Sequence, residues 1–126
     1  MRSLAEAARG DTRVYFTGGA TSVNVELASP ADFIPVRAGW EDRSPFVARE
    51  GRASYRHFDL CAQALAKIER GHTQDLQDVS TLLDRGLVNR AELDAYFTAI
   101  EPELYRYPAL DPRSFGARVQ EIVRRR

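Results

Sequence analysis

From Asp59 onward the apolar residues recur three and four positions apart, and each run carries its own start and stop signals, which is the pattern of amphipathic helices. Asp59 stands where it can cap a helix holding Cys61, Leu65 and Ile68 on one stripe, and Gly71 is placed to end it. Thr73 can cap a second helix carrying Leu76, Val79, Leu82 and Leu83, with Gly86 as its terminator. Asn89 and Glu92 have the spacing of a capping box for a third, with Leu93, Tyr96, Phe97 and Ile100 apolar and Pro102 closing it. Asp111-Pro112 opens a fourth that buries Phe115, Val119, Ile122 and Val123.

The first half reads differently. A short helix over residues 4–8, capped by Ser3 and stopped by Gly10, precedes an apolar strand at residues 14–16. Residues 23–27 alternate apolar and polar with the period of two of a half-buried strand, and residues 17–22 are short enough to join the two as an antiparallel hairpin. Proline and glycine punctuate an irregular crossing segment at 29–44, and residues 46–49 and 53–58 form a second hairpin through Glu50-Gly51-Arg52. The expectation is one α+β domain over residues 1–126, a small mixed or antiparallel sheet at 1–58 followed by a four-helix half at 59–126.

Composition narrows the function classes. Eighteen basic and eighteen acidic residues cancel, which argues against a chain that coats nucleic acid. No apolar run reaches the ~18 to 20 residues of a membrane span, and no signal-peptide pattern opens the chain, so a cytoplasmic protein is expected. Cys61 is the lone cysteine and falls in a helical apolar phase, where a buried thiol is expected. His57 and His72 have no zinc-ligand spacing.

Two clusters carry candidate chemistry. Gly18 and Gly19 follow a strand, where bare backbone amides can approach a phosphate, although a tight turn uses the same pair. Lys67, the only lysine, lies beside the apolar stripe of its helix in a stretch with Glu69, Arg70, His72, Asp75 and Asp78, so its ammonium can snorkel toward an anion. A solvated charged turn is the alternative reading of that stretch.

In wording and order these clusters resemble the AbiEii-like nucleotidyltransferases, a branch of the polymerase-beta-type superfamily that supplies the toxins of some toxin-antitoxin pairs. The similar stretches are residues 14–21 (VYFTGGAT), 24–35 (NVELASPADFIP), 62–79 (AQALAKIERGHTQDLQDV) and 99–108 (AIEPELYRYP). The resemblance implies magnesium-dependent transfer of a nucleotide from a triphosphate to an RNA hydroxyl. It implies that Gly18, Gly19 and Thr21 hold the triphosphate with Lys67, that Lys67 and Asp75 serve the reaction, and that Glu26 is a catalytic, metal-binding carboxylate. An antitoxin is an implied partner, and a shortened sheet suggests a homo-oligomer.

One departure governs the rest. The family carries an Asp-x-Asp pair on the strand after the glycine turn, and no Asp-x-Asp occurs in this chain. Relative to that pattern about one βα unit is missing, on the order of 30 residues. Glu26 alone does not neutralise a triphosphate and position two magnesium ions. The expectation is a degenerate, catalytically impaired protein of truncated nucleotidyltransferase-like fold. The alternatives are an active enzyme that takes carboxylates from Asp32, Glu41, Asp42 or a partner chain, and a non-enzymatic module that pairs with an intact relative or an antitoxin.

Overall fold

A computed structural model describes residues 12–16 and 33–124, and within them the chain is α+β, with strands first and helices second. The strands are β1 (Thr12–Phe16), β2 (Phe46–Glu50) and β3 (Ala53–His57). The helices are α1 (Leu60–Arg70), α2 (Thr73–Asp84), α3 (Arg90–Ile100) and α4 (Pro112–Arg124), with a 3-10 helix (Glu101–Arg106) after α3. The expected helix at 4–8 and the strand at 23–27 lie outside the described residues, and so does the expected hairpin between residues 14–16 and 23–27.

The sheet runs in the order β1-β3-β2. The expected β2-β3 hairpin is present, antiparallel, with Glu50 opposite Ala53 and a register shift between Phe46 and Ala48. Gly51 has φ 57 and Arg52 does not have positive φ, the sign pattern of a two-residue turn with glycine in first place. β1 pairs with β3 in parallel, Thr12 opposite Ala53 through Phe16 opposite His57, so the sheet is mixed. An aromatic cluster fixes the crossing segment to this sheet. Trp40 stacks on Phe58 at 4.3 Å and 9°, and Tyr15 meets Trp40 edge-on at 4.8 Å.

α1 is the axis of the helical half, in contact with α2, α3 and α4. Every residue from Leu60 to Ala66 is buried, and Ile68 with them. A helix apolar nearly all round has no solvent face to keep, and Ala62, Ala64 and Ala66 let its neighbours approach closely. Its start is set by Asp59, whose Oδ1 accepts from Cys61 N at 3.1 Å. Its end is set by Gly71, left-handed at φ 70, whose N–H donates to Lys67 O. Against α1, α3 and α4 pack through Phe97 and Phe115, edge to face at 5.1 Å.

The other helix signals meet the structure one by one. Asn89 Oδ1 accepts from Glu92 N at 2.8 Å, and Asn89 Nδ2 reaches Glu92 Oε1 at 2.7 Å. Asp111 Oδ1 accepts from Arg113 N at 3.1 Å at the start of α4. α3 ends at Ile100, two residues before the expected stop at Pro102, and Pro102 sits at the start of the 3-10 turn that follows and buries Leu104. Thr73 is not a cap. His72 holds that place with extended backbone and no side-chain capping bond, and its carbonyl accepts the first helical bond, from Leu76 N at 3.0 Å. Of the expected apolar face of α4, Phe115 and Val119 are buried, while Ile122 and Val123 are half-buried against the core.

Asp59 also joins the two halves. Its Oδ2 accepts from Arg43 Nε at 3.1 Å, with the Asp59 side chain 3% exposed. Arg43 lies over the Tyr96 ring at 5.6 Å and donates from Nη2 to the carbonyls of Arg37 and Ala38. Tyr96 Oη accepts from Arg37 N at 2.9 Å, and burial pushes this phenol up to about 12. Burial raises the Asp59 pKa more than the hydrogen bond and charge of Arg43 lower it. What Asp59 contributes is therefore geometry, a helix cap and a bridge to Arg43, against the cost of its own burial. Asp59→Ala should cost about 1 to 2 kcal/mol through the lost cap alone, while Asp59→Asn, which keeps an accepting oxygen, should cost clearly less. Urea denaturation of both variants measures the difference, and equal losses would remove the cap as its cause.

Candidate functional site

The described part of the candidate site is the turn from α1 into α2. Gly71 and His72 bring the last turn of α1 beside the first two turns of α2, so that four charged side chains face one another across the hairpin. Lys67 Nζ donates to Asp78 Oδ2 at 2.8 Å, and the two side chains are 15% and 24% exposed. Arg70 Nη2 donates to Asp75 Oδ1 at 2.7 Å, and Asp75 is only 9% exposed. Gln74 Nε2 adds a bond to Asp78 Oδ1 at 2.9 Å, and the Arg70 guanidinium lies over the Phe33 ring at 5.8 Å.

Burial alone would raise the Asp78 pKa, but the hydrogen bonds from Lys67 and Gln74 and the charges of Lys67 and Arg70 outweigh it and hold the carboxyl below its ordinary value. Lys67 thus faces a fully ionised partner at neutral pH. The cluster holds two cations and two anions and is neutral as a unit. An anion that engages Lys67 competes with the charge of Asp78, and a metal that engages Asp75 competes with that of Arg70. The sequence places Lys67 and Asp75 in one neighbourhood correctly, but each is paired to a different residue.

Gly18, Gly19, Thr21, Glu26 and Asp32 lie outside the described residues. Glu41 and Asp42 sit on a tight turn at 39–44, where Asp42 N donates to Gly39 O at 3.1 Å and Ser44 N to Glu41 O at 3.2 Å. Among the described residues no group of three or more His, Cys, Asp or Glu side chains is arranged to hold a metal ion. Cys61 is buried, and burial with the charges of Asp59 and Glu92 pushes its thiol up to about 12. It has no thiolate character at neutral pH, as expected for a packing residue. No helix among the described residues is long and apolar enough to cross a membrane.

Sequence reasoning overlooked two arginines that cap helices other than their own. Arg118 of α4 donates from Nη1 to Glu69 O at 2.7 Å, one of the carbonyls that the end of α1 leaves without a helical partner. Arg90, the first residue of α3, donates from Nε to Ile122 O at 3.3 Å near the end of α4. These bonds span 49 and 32 positions, and no local pattern announces them. The only available signal was an arginine beside an apolar stripe. Comparison with protein-family models, with curated proteins and with solved structures finds no match to this chain.

A carboxylate whose pKa is lower in the folded chain than in the unfolded one stabilises the fold above its unfolded pKa, and that contribution is lost as pH falls through the folded value. Asp78 belongs to this class. Asp59, raised by burial, has the opposite sign: its contribution is present below the unfolded pKa and is lost as pH rises through the folded value. Asp78→Asn should therefore lower the melting temperature at neutral pH, and the gap to the wild type should close in acid. Thermal melts across that range check the direction, and a gap that persists in acid would mean that the variant loses packing and not charge.

Proposed function

We propose that the chain is a degenerate nucleotidyltransferase-like protein, related to toxin and abortive-infection enzymes of the AbiEii-like kind, that keeps weak affinity for a nucleoside triphosphate and does not transfer a nucleotide to RNA. The supporting observation is the neutral quartet at the α1–α2 turn. Lys67 lies in the stretch that resembles the family, 2.8 Å from Asp78, so its charge is already matched. Asp75, the other residue carried over by resemblance, is buried beneath Arg70. The absence of Asp-x-Asp from the sequence supports the same reading, since two-metal chemistry needs carboxylates to position both ions. Magnesium is a cofactor only under the active alternative. Glu26, Gly18, Gly19 and Thr21 complete the site in this proposal by resemblance alone.

Purified protein given magnesium, labelled nucleoside triphosphates and total RNA should transfer no label above background, and robust transfer abolished by Glu26→Ala would overturn the impaired reading. Triphosphate binding should be weak and limited by competition within the quartet. Asp78→Asn, which releases Lys67, should strengthen it by several-fold and up to about tenfold, the scale of one partly exposed ion pair. Lys67→Ala should abolish it. Calorimetry reads both variants, and binding that is unchanged in Lys67→Ala would remove Lys67 from the site.

A second reading, an interaction module that pairs with an intact relative or an antitoxin, is favoured by β2. It lies at one edge of the described sheet, with Phe46 54% and Val47 46% exposed in succession. An exposed apolar edge strand is a template for pairing with another chain. Sedimentation at micromolar protein tests the self-pairing form of this reading, which a monomer would exclude.

A further inference from the structure

Lys67 and Arg70 both project from the last turn of α1, and the backbone of that turn is held at two carbonyls. Gly71 N–H donates to the carbonyl of Lys67 at 2.9 Å, a bond made within four positions of chain. Arg118 Nη1, on α4, donates to the carbonyl of Glu69 at 2.7 Å, across 49 positions. That carbonyl belongs to the peptide group that leads into Arg70. Each cation of the quartet therefore stands beside a carbonyl that is gripped, the one at Lys67 locally and the one at Arg70 from another helix.

The last carbonyls of a helix have no donor within it, and a turn left to water frays. Arg118 supplies a charged donor, which makes the stronger class of hydrogen bond. Room for it depends on Gly71, which is left-handed at φ 70. A Cβ there would lie 2.8 Å from Arg118 Nη1 and 3.2 Å from its Cζ. The glycine serves twice: it turns the chain toward α2, and it leaves open the path by which Arg118 reaches the end of α1.

From this turn the two cations reach α2 at Asp78 and Asp75, at 2.8 and 2.7 Å. α2 begins at Thr73, directly after the turn, so a rotation at the end of α1 moves ammonium and guanidinium against both carboxylates. The groups that hold Asp78 below its ordinary value are Lys67, Gln74 and Arg70. Arg118 is not one of them, so its influence on the quartet runs through the backbone and not through its own charge.

We propose that Arg118 is a positioning residue for the quartet: by gripping the Glu69 carbonyl it keeps Lys67 on Asp78 and Arg70 on Asp75, and so sets how much of the Lys67 charge is left for an anion. The inference rests on the reading of the quartet as the place where a triphosphate competes for Lys67, and its test uses no nucleotide, so that the two can fail separately.

Lys67 is the only lysine, so isotopically labelled protein gives one lysine ammonium signal, and exchange of those protons with water reports the bond to Asp78. Asp78→Asn supplies the rate for an ammonium without its charged partner. Arg118→Met, at an exposed position where the chain should stay folded, should raise the exchange several-fold, toward the Asp78→Asn rate. Arg90→Met removes the comparable arginine–carbonyl bond at the end of α4 and should leave the wild-type rate. Wild-type exchange in a folded Arg118→Met overturns the proposal. So does equal acceleration in Arg90→Met, which would mean a general loosening of the bundle. Calorimetry of triphosphate with Lys67→Ala judges the nucleotide reading by itself, whatever the ammonium shows.

Discussion

The Asp59 carboxylate is the joint on which the two halves of the molecule turn. One oxygen caps the backbone of α1 at Cys61, and the other takes the Arg43 guanidinium from the crossing segment. Arg43 in turn covers the Tyr96 ring of α3 and gathers two carbonyls of its own segment. Crossing segment, central helix and third helix thus meet at a single buried carboxyl. Burial raises its pKa more than Arg43 lowers it, so what the carboxyl supplies is position. The aromatic stack of Tyr15, Trp40 and Phe58 then packs the sheet onto the framework so fixed.

The same logic recurs at the ends of the helices. α1 and α2 are stitched by Lys67 with Asp78 and by Arg70 with Asp75, and the last carbonyls of α1 and α4 are taken by arginines from elsewhere in the bundle. Charged side chains here are spent on backbone ends and on one another. That expenditure bears directly on chemistry, because a cation already matched at 2.8 Å offers less to an incoming phosphate than an unmatched one would. Arg118 and Arg90 differ, in that the partners they bond are neutral carbonyls.

The sequence was most informative where a structure is set by residues close to one another along the chain. Asp59, Gly71, Asn89 with Glu92, and Asp111 each act within four positions, and each helix end they mark is found in the structure. The turn at Gly51 was legible for the same reason, since it needs only a residue that tolerates positive φ. Thr73 was misread because a hydroxyl residue before a helical run is a suitable cap in isolation. The placement of Gly71 leaves His72, one residue earlier, to carry the capping backbone. The parallel pairing of β1 with β3 and the reach of Arg43 to Asp59 depend on a crossing segment with no period. At the candidate site, sequence put Lys67 and Asp75 on adjoining turns but could not choose among four charges of similar reach. Packing chose, by burying Asp75 under Arg70 and leaving Asp78 for Lys67.

Because α1 is enclosed on nearly every side, the single thiol of the chain is buried in its first turn. Cys61 sits behind Asp59 and beside Glu92, its proton retained well above neutrality. A thiol so placed does not meet an alkylating reagent while its helix is in register, and the reagent gains it only when the centre of the bundle opens. The rate at which this one atom is consumed is therefore the opening rate of the core when capture outpaces reclosing. The fold carries its own stopwatch in the first turn of its central helix.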